Sequence, residues 1–291
     1  MRGLNEIRAT LDERGMLDGM PFMPEMERFA GRRARVWRRA DRICVEGSPT
    51  HRELRDTVFL EDLRCDGSAH AGCQRACLLL WNEAWLRRPG GFLPPAPPPP
   101  PPENTTPLPA AEGTLFFCQS TALLAASLPL PLWHPRQYLR DLLTGNLTVS
   151  ELFFSLAGNV RHKLAALASR GRRAARPART PSERLGLAVG EWVEVKSLEQ
   201  IEATLDARQM NRGLSFSPSM TAYCGRRFRV SRRLERMIRE TSGEMRDLTD
   251  TVVLETVVCD GFCTRGCPRA NVLYWREAWL RRAPPPSVSA P

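Results

Sequence analysis

The sequence predicts an α+β protein in which two homologous small β-barrel modules of SH3-like type are separated by a proline-rich linker and a helical segment. Residues 4–88 align with residues 198–282 without a gap at an offset of 194 positions, and roughly half of the aligned positions are identical. Both copies contain short runs in which apolar and polar residues alternate, which is typical of strands. A nearly unbroken run of prolines lies between the copies.

The two copies share four motifs. They are Ala-Thr-Leu-Asp at 9–12 and 203–206, Gly-Arg-Arg-x-Arg-Val at 31–36 and 225–230, Asp-Thr-Val-x-Leu-Glu leading into Cys-Asp-Gly at 56–67 and 250–261, and Trp-x-Glu-Ala-Trp-Leu-Arg-Arg at 81–88 and 275–282. We therefore divide the chain into module 1 (1–92), a linker (93–112), a helical middle segment with a basic linker (113–182), module 2 (183–284) and a tail (285–291).

Each module is predicted to begin with a short helix, at 5–12 and 199–206, because Leu11 and Leu205 fall on its buried side. Strands are predicted at 33–39 and 227–233 and at 57–65. Each module is then predicted to end in a strand or short helix, at 77–86 and 271–280.

Residues 190–195 alternate as a strand that could open module 2, and module 1 has no counterpart. Met1 aligns with Val195, and a valine codon can serve as an initiator. We therefore expect that the native chain starts upstream and that module 1 is drawn one strand short.

The middle segment, 114–179, is predicted to be mostly helical, with apolar residues at helical spacing in 116–127 and 149–168. Trp133 and Tyr138 are expected to pack into this helical bundle. The proline run within 94–109 favours an extended, stiff spacer, and the arginine-rich stretch 170–179 a solvated linker.

Composition limits the function classes. The net charge is +10, which allows an acidic partner, but nearly all of the positive charge is arginine, as in a GC-rich bacterial genome. The basicity is therefore weak support for nucleic-acid binding. We expect no signal peptide and no membrane span, because Met1 runs directly into module sequence and the most apolar stretch, 115–133, is interrupted by prolines. The expected compartment is the cytoplasm.

Nine cysteines in a chain without an export signal indicate reduced thiols or metal ligands rather than a disulfide framework. Each module carries four, and both modules place them around a glycine-containing loop after a predicted strand. Those of module 1 are Cys44, Cys65, Cys73 and Cys77, with His70 in the same loop, and those of module 2 are Cys224, Cys259, Cys263 and Cys267.

Zinc takes four thiolate or imidazole ligands in a tetrahedron, so four candidates per module predict a zinc site. In module 1 we expect Cys65, Cys73 and Cys77 as ligands, with Cys44 or His70 as the fourth. The widely spaced cysteines also leave an iron–sulfur cluster open, as well as internal disulfides such as Cys73–Cys77 or plain buried thiols. Cys118, in the middle segment, is expected to be buried or a lone reactive thiol.

Catalytic motifs are missing from the sequence: it has no glycine-rich phosphate loop, no nucleophile elbow and no His-Glu-x-x-His helix. Asp66 and Asp260 are candidates for a polar site, although an Asp-Gly pair after a strand more often caps a turn. Trp81 and Trp275 are candidates for ligand stacking, with core packing as the alternative. Arg136 lies in a stretch dense in groups that could bind an anion or a partner.

The whole chain resembles an uncharacterised bacterial family whose members join two Cys-Asp-Gly…Cys and Trp-x-Glu-x-Trp-Leu modules around a helical segment. The matching stretches here are Cys-Asp-Gly-Ser-Ala-His-Ala-Gly-Cys at 65–73, Cys-Gln-Ser-Thr at 118–121, His-Pro-Arg-Gln-Tyr at 134–138 and Cys-Pro-Arg-Ala at 267–270. The chain departs from the family at Ala30 and Thr264, where a cysteine and a histidine are expected. The resemblance implies a bacterial biosynthetic pathway, and so a partner protein from the same pathway.

The leading functional prediction is a metal-binding accessory or interaction protein with tandem modules. One alternative is an enzyme whose cysteine-rich loops hold a catalytic metal or cluster. A further alternative is a nucleic-acid-binding protein that uses the arginine-rich strands at 32–39 and 226–233.

Overall fold

The computed structural model describes residues 1–46, 51–88, 111–112, 115–131, 133–168, 180–261 and 266–285. The predicted proline spacer, the arginine-rich stretch 170–179 and Cys263 lie outside the described residues. None of the described helices is both long and apolar enough to cross a bilayer.

Strands and helices follow one another in this order. The strands are β1 (Met16–Leu17), β2 (Met20–Pro21), β3 (Val36–Arg39), β4 (Arg42–Cys44), β5 (His51–Glu53), β6 (Thr57–Arg64), β7 (Leu78–Asn82), β8 (Ala111–Glu112), β9 (Leu115–Phe116), β10 (Leu128–Leu130), β11 (Trp192–Val195), β12 (Met210–Asn211), β13 (Leu214–Ser215), β14 (Arg227–Arg233), β15 (Arg236–Ile238), β16 (Met245–Asp247), β17 (Thr251–Val258), β18 (Val272–Arg276) and β19 (Leu280–Arg282). The α-helices are α1 (Leu4–Arg8), α2 (Gln119–Ala122), α3 (Pro135–Leu143), α4 (Val149–Ala168) and α5 (Leu198–Glu202). The 3₁₀ helices are η1 (Pro24–Phe29), η2 (Glu83–Trp85), η3 (Pro218–Tyr223) and η4 (Glu277–Trp279).

The described chain is therefore α+β, with mostly sheet and few helices. It divides into two compact units: unit 1 comprises 1–148, 236–246 and 267–269, and unit 2 comprises 149–235, 247–266 and 270–291. Each is described separately below.

Unit 1 contains two three-stranded antiparallel sheets, in the orders β3-β6-β7 and β10-β5-β4. The first covers the apolar core of module 1, in which Phe59, Trp81 and Trp85 are almost completely buried. β6 is apolar at its start and polar at its end, and its burial follows that division. The predicted strand at 57–65 is confirmed, and the one at 33–39 is confirmed from residue 36.

Unit 2 contains a five-stranded antiparallel sheet in the order β18-β17-β14-β11-β19. Since η4 turns the chain directly from β18 into β19, and β11 pairs with both β14 and β19, the sheet curls into a half-barrel. Val193, Val195, Val230 and Trp275 are fully buried inside it. The expected strand at 190–195 is confirmed as β11.

The strands of the two modules share their registers and their irregularities. β3 shifts register against β6 between Val36 and Arg38, and β14 shifts against β17 at the matching Val230 and Arg232. Asp62 and Thr256, 194 positions apart, both have positive φ, as bulges in paired strands require. Residues that lie 194 positions apart therefore occupy equivalent backbone positions in these strands.

The described part of the middle segment is mostly helical, as predicted, but the helix expected at 116–127 is not formed over most of that range. The helix at 149–168 is confirmed as α4, but within 116–127 α2 covers four residues only. Phe116 instead belongs to β9, and its N–H donates to Gly243 O at 2.8 Å. The reason is strand pairing: β9 pairs with β8, and Leu115 also bridges Glu244. Gln119, the first residue of α2, accepts the N–H of Leu80 at 2.9 Å and donates to its C=O at 2.8 Å.

The expectation that Trp133 packs into a helical bundle is wrong, since 77% of its surface is exposed. Tyr138 is half-buried, and the Arg42 guanidinium lies 5.0 Å from the centre of its ring. Arg42 is itself buried and ion-paired with Asp141. Thus His-Pro-Arg-Gln-Tyr begins a helix that supports a buried polar network in unit 1.

The glutamate between the two tryptophans has different surroundings in the two modules. Glu277 is fully buried and accepts the N–H groups of Leu185 at 2.5 Å, Gly186 at 2.8 Å and Leu187 at 3.1 Å. Burial raises the pKa of Glu277, but these three bonds and Arg233 outweigh burial and hold it below its usual range. The side chain of the matching Glu83 is 45% exposed.

We expect Glu277→Gln to destabilise unit 2 by about 2–4 kcal/mol, because it removes a buried carboxylate from donors that then lack a charged acceptor. Hydrogen exchange of peptides covering 185–187 and 272–282 measures this locally. The matched control, Glu83→Gln, should change stability by less than about 0.5 kcal/mol. Since the folded-state pKa of Glu277 is lowered, its contribution to the free energy of unfolding is present above the usual pKa of a glutamate. That contribution is lost as the pH falls through the folded-state pKa. Equal effects of the two substitutions would contradict this assignment.

Candidate metal centre

A loop at residues 65–77 holds the candidate centre of module 1. It leaves β6 at Cys65 and returns to β7 after Cys77, and its neck is closed by the Cys65 N–H, which donates to Cys77 O at 2.8 Å. Inside the loop the N–H groups of His70 and Gly72 both donate to Gly67 O at 3.0 Å. This folding turns His70 inward, and its ring is almost fully buried.

Gly67 is required for this loop. Its φ is +76°, and a Cβ there would lie 2.0 Å from Cys73 O, so the backbone of the loop passes too close for any side chain. The Gly67 N–H also donates to the Cys65 sulfur at 3.4 Å. Cys65 is therefore oriented by the backbone on both of its sides.

Glu25 completes a three-residue cluster with Cys65 and His70. It lies in η1, where Pro24 starts the helix and places the carboxylate under the loop. Glu25 Oε1 is 3.2 Å from Cys65 Sγ and 3.7 Å from His70 Nδ1, and Cys65 Sγ is 4.0 Å from His70 Nδ1. Among the described residues, these form the one group of three candidate ligand atoms that all lie within 4.8 Å of one another.

The cluster is buried and incompletely bonded. The side chains of Glu25 and His70 are each 1% exposed, and Glu25 Oε2 and His70 Nε2 have no hydrogen-bond partner. A buried polar atom without a partner costs about 1–3 kcal/mol. Buried polar atoms of this kind are found at catalytic sites and beside bound water or ions.

Burial also sets the protonation of the cluster. It raises the pKa of the Cys65 thiol strongly, and the Glu25 carboxylate raises it further. Burial lowers the pKa of His70, while Glu25 and Asp66 partly oppose that shift. Without a cation, Cys65 is therefore a protonated thiol and His70 a neutral imidazole, and both lie beside the Glu25 carboxyl group.

A cavity of about 30 Å³ adjoins the cluster, which is room for one small ion or one water. It is lined by thiols as well as by apolar side chains. The cysteines on its wall are Cys65, Cys73, Cys77 and Cys118. Burial and the nearby Cys77 raise the pKa of Cys118 to about 11, so this half-buried thiol is protonated at neutral pH.

Cys44 and Cys267 form a second pair of thiols in unit 1, with sulfur atoms 3.2 Å apart. The Cys44 N–H donates to Cys267 Sγ at 3.1 Å. Burial raises the pKa of Cys267, but bonds from the Cys44 thiol and from the N–H groups of Arg269 and Cys44 outweigh it and lower the value to about 6. The structure thus places Cys44 with Cys267 rather than with Cys65.

The same bonding pattern recurs at the positions offset by 194. Cys267 Sγ accepts the Cys44 N–H, and Cys73 Sγ accepts the N–H of Ile238 at 3.3 Å, where Ile238 is the residue that aligns with Cys44. Two residues on, Arg269 and Arg75 both bond the buried Glu240, at 2.8 and 2.9 Å. These reciprocal bonds explain why segments 236–246 and 267–269 belong to unit 1.

Module 2 repeats two backbone hydrogen bonds of the loop among its described residues, with different side chains at the aligned positions. The Cys259 N–H donates to Asn271 O at 2.7 Å, and Gly266 N–H to Gly261 O at 2.9 Å, as in module 1. The residue opposite Glu25, however, is Ser219, whose hydroxyl accepts from Cys259 Sγ at 3.6 Å. Thr264 stands opposite His70. Among the described residues, module 2 has no group of three close candidate ligand atoms like that of Glu25, Cys65 and His70.

The other predicted site residues are placed as follows. Asp66 and Asp260 are exposed, and hydrogen bonds from the Ser68 side chain and N–H, with Arg28, lower the pKa of Asp66 to about 2, as expected of a turn cap. Trp81 and Trp275 are fully buried and pack edge-on against Phe22 and Phe216. Cys224 ends η3 and packs at the border of the core of unit 2. Arg136 is exposed on α3.

Glu25 is the site residue that the sequence analysis missed. It is 40 positions from Cys65 and is not a thiol, so a search for cysteine spacing passes over it. The alignment of the two copies did carry a signal, because Glu25 and His70 change together, to Ser219 and Thr264.

No protein-family model, curated protein or solved structure matches the chain.

We expect Gly67→Ala to lower the stability of unit 1 by more than about 2 kcal/mol, because the new Cβ meets the Cys73 carbonyl in a left-handed backbone. The matched control is Gly72→Ala, which has a similar φ of +74° but no neighbour within 4 Å, and it should cost about 1 kcal/mol. Thermal unfolding followed by circular dichroism measures both. A Gly67 variant as stable as the Gly72 variant would show that the close approach is not a constraint.

Proposed function

We propose that the chain is a metal-binding protein that holds one zinc ion in module 1 through Glu25, Cys65 and His70. The buried Glu–Cys–His cluster with two unbonded polar atoms supports this proposal. Thiolate, imidazole and carboxylate are the three side-chain ligand types of zinc.

The distances fit such an ion. Tetrahedral zinc, with Zn–S near 2.3 Å and Zn–N or Zn–O near 2.0–2.1 Å, separates its ligand atoms by about 3.3–3.6 Å. The separations here are 3.2, 3.7 and 4.0 Å, so small side-chain movements close the site. The ion would replace the Cys65 proton and neutralise the Glu25 charge, which removes the cost of burying an unpaired carboxylate.

Zinc suits this cluster better than an iron–sulfur cluster does. Iron–sulfur clusters are held mainly by thiolates, whereas Cys65 has a carboxylate and an imidazole as its neighbours. The carboxylate within 3.2 Å of the sulfur favours a single divalent cation.

The role that follows is structural. The ion would tie η1 to the loop that leaves β6, and it would thereby fix one end of a module that we propose to be a small SH3-like barrel, duplicated in module 2. The family resemblance supports an accessory or interaction protein of a bacterial biosynthetic pathway, with another protein of that pathway as partner.

Elemental analysis of protein purified without chelator tests the proposal. We expect about one zinc per chain, no visible absorption, and loss of most of the zinc in the double variant Glu25→Ser/His70→Thr. This variant copies the side chains of module 2 onto the same backbone, so it should fold. The matched control, Cys259→Ser, should keep its zinc. Iron with sulfide, or no metal in folded protein, would refute the proposal.

The pH dependence provides a separate check. Because the pKa of Cys65 is raised, binding must displace the thiol proton, and the affinity for zinc should fall about tenfold for each unit by which the pH is lowered. Competition with a chromophoric chelator between pH 8 and pH 6 measures this. An affinity that does not change with pH would exclude Cys65 as a ligand.

The number of ligands supports a second candidate function, a zinc enzyme. Structural zinc sites have four protein ligands, whereas catalytic sites keep one position open, and the cluster supplies three beside a cavity. If Cys73→Ser or Cys77→Ser releases the ion, that thiol is the fourth ligand and the site is structural. If both variants retain one zinc with unchanged affinity, the fourth position is open and the enzyme is favoured.

A further inference from the structure

Cys44 and Cys267 are held against each other by contacts to the backbone of Cys44. The Cys44 N–H donates to Cys267 Sγ at 3.1 Å, and Arg269, two residues further along, donates to Cys44 O at 2.8 Å. Segment 267–269 of unit 1 therefore binds both polar groups of the Cys44 backbone. These contacts place the two sulfur atoms 3.2 Å apart, and both cysteines are free thiols.

The equivalent contact, 194 positions away, has the same backbone bonds and one sulfur atom fewer. Ile238 aligns with Cys44, and its N–H donates to Cys73 Sγ at 3.3 Å. Arg75 donates to Ile238 O at 3.3 Å, which is the counterpart of the second bond above. The fold therefore uses one sulfur atom as a hydrogen-bond acceptor in each contact. It does not require a thiol opposite that sulfur, so the thiol of Cys44 needs a different explanation.

The second thiol changes the protonation of its partner. Burial raises the pKa of Cys73, and the two backbone N–H groups bonded to its sulfur only partly oppose that shift. Burial acts on Cys267 in the same direction. There the hydrogen bond with the Cys44 thiol, together with the N–H groups of Arg269 and Cys44, outweighs burial and lowers the pKa to about 6. At neutral pH the pair therefore holds one proton between two sulfur atoms.

The two cysteines differ in their access to solvent. Cys267 is 3% exposed, whereas Cys44 is half-buried between the buried Ile43 and Val45. A reagent from solvent therefore meets Cys44 first, and this setting favours a small reagent over a bulky one. Reactive cysteines lie in partly exposed surroundings beside a positive charge, and the Arg269 guanidinium supplies such a charge to this pair.

We propose that Cys44 and Cys267 form a redox-active dithiol that a small peroxide converts reversibly to a disulfide. With the shared proton on Cys267, the Cys44 thiolate attacks one oxygen of hydrogen peroxide and the O–O bond breaks. The leaving hydroxide takes a proton from solvent, and Cys44 becomes a sulfenic acid. Cys267 Sγ then attacks the Cys44 sulfur, the S–S bond forms, and the S–O bond breaks to release water with the Cys267 proton. In sum, the two thiols are oxidised by two electrons and one peroxide is reduced to two water molecules.

The geometry favours the second step over further oxidation of Cys44. A disulfide needs its sulfur atoms about 2 Å apart, so the two sulfurs need to approach by about 1 Å. The hydrogen bonds from segment 267–269 hold the attacking thiol in place before the sulfenic acid forms, and a sulfenic acid beside a thiol condenses with it. The disulfide would join residues 223 positions apart in the chain. It would make permanent a contact that hydrogen bonds alone hold in the reduced protein.

The test uses the full chain, purified without chelator, reduced and then titrated with hydrogen peroxide. Remaining thiols are alkylated, and the peptides are mapped by mass spectrometry without reduction. We expect a cross-linked pair of peptides that contains Cys44 and Cys267, lighter by two hydrogen atoms, and its disappearance after treatment with dithiothreitol. This cross-link should form at a peroxide concentration about tenfold lower than the one that oxidises Cys73, whose pKa is raised.

A matched pair of variants locates the site. Cys44→Ser should abolish the cross-link. Adding Ile238→Cys to Cys44→Ser places a second sulfur opposite Cys73 in the equivalent contact, so the cross-link should now join positions 73 and 238. Circular dichroism of the reduced variants shows whether each of them is folded.

A Cys44 that is oxidised to the sulfinic acid without a bond to Cys267 would overturn the proposal. So would a pair that stays reduced at peroxide concentrations that oxidise free glutathione, or a disulfide that forms between other cysteines. Zinc content is measured on each protein before peroxide is added. A loss of zinc in Cys44→Ser would show that the pair holds a metal and would also overturn the proposal. The variants leave the Glu25 cluster unchanged, so failure of the disulfide and failure of the zinc proposal are separately visible.

Discussion

Each module depends on the burial of two tryptophans four residues apart. The chain changes from β-strand to 3₁₀ helix between them, so Trp81 and Trp85 both enter the same core and are fully buried. Each indole buries roughly 150–250 Å². Phe22 packs edge-on against both rings, and the Trp85 N–H donates to Thr10 at 3.1 Å. This arrangement fixes β7 against α1, and it leaves the intervening glutamate at the edge of the sheet.

The backbone of the cysteine loop is a scaffold that does not depend on its ligands. Both modules close the loop neck with one backbone bond and aim a glycine N–H at the first cysteine sulfur, at 3.4 Å in each case. The side chains differ at one position outside the loop, Glu25 or Ser219, and at one position inside it, His70 or Thr264. A serine hydroxyl needs no counter-charge when buried, whereas a buried glutamate does. The two modules can therefore share a fold and differ in their need for a cation.

The sequence predicted the α+β class, the longer strands β3, β6, β11 and β14, and α4, because alternation and helical periodicity are local signals. It also indicated Cys65 and His70. It could not show that Cys44 and Cys267 are neighbours, since the alignment assigned them to different modules. The Cys44 N–H bonds Cys267 Sγ and the Ile238 N–H bonds Cys73 Sγ, so each bond joins segments that are distant in the chain. The helix expected at 116–127 failed at its start because Phe116 pairs with Ala111 and donates to Gly243 O, contacts between distant residues that periodicity does not report. Glu25 was missed because nothing in the sequence distinguishes it from a surface glutamate. Its role follows from the fold, which places its carboxylate beside the Cys65 thiol.

Glu83 and Glu277 occupy matching positions but differ in their surroundings. A carboxylate that accepts three N–H groups from its own chain is satisfied and unavailable to other molecules. Glu83 keeps the arginine partner of that arrangement, and its side chain is 45% exposed. Among the described strands, β3 beside it pairs with β6 alone. Module 2 completes its half-barrel sheet with β11, and its glutamate is satisfied by residues 185–187 of the same chain. The same residue type at the matching position of module 1 is exposed, so equal positions in the two sequences do not have equal electrostatic surroundings.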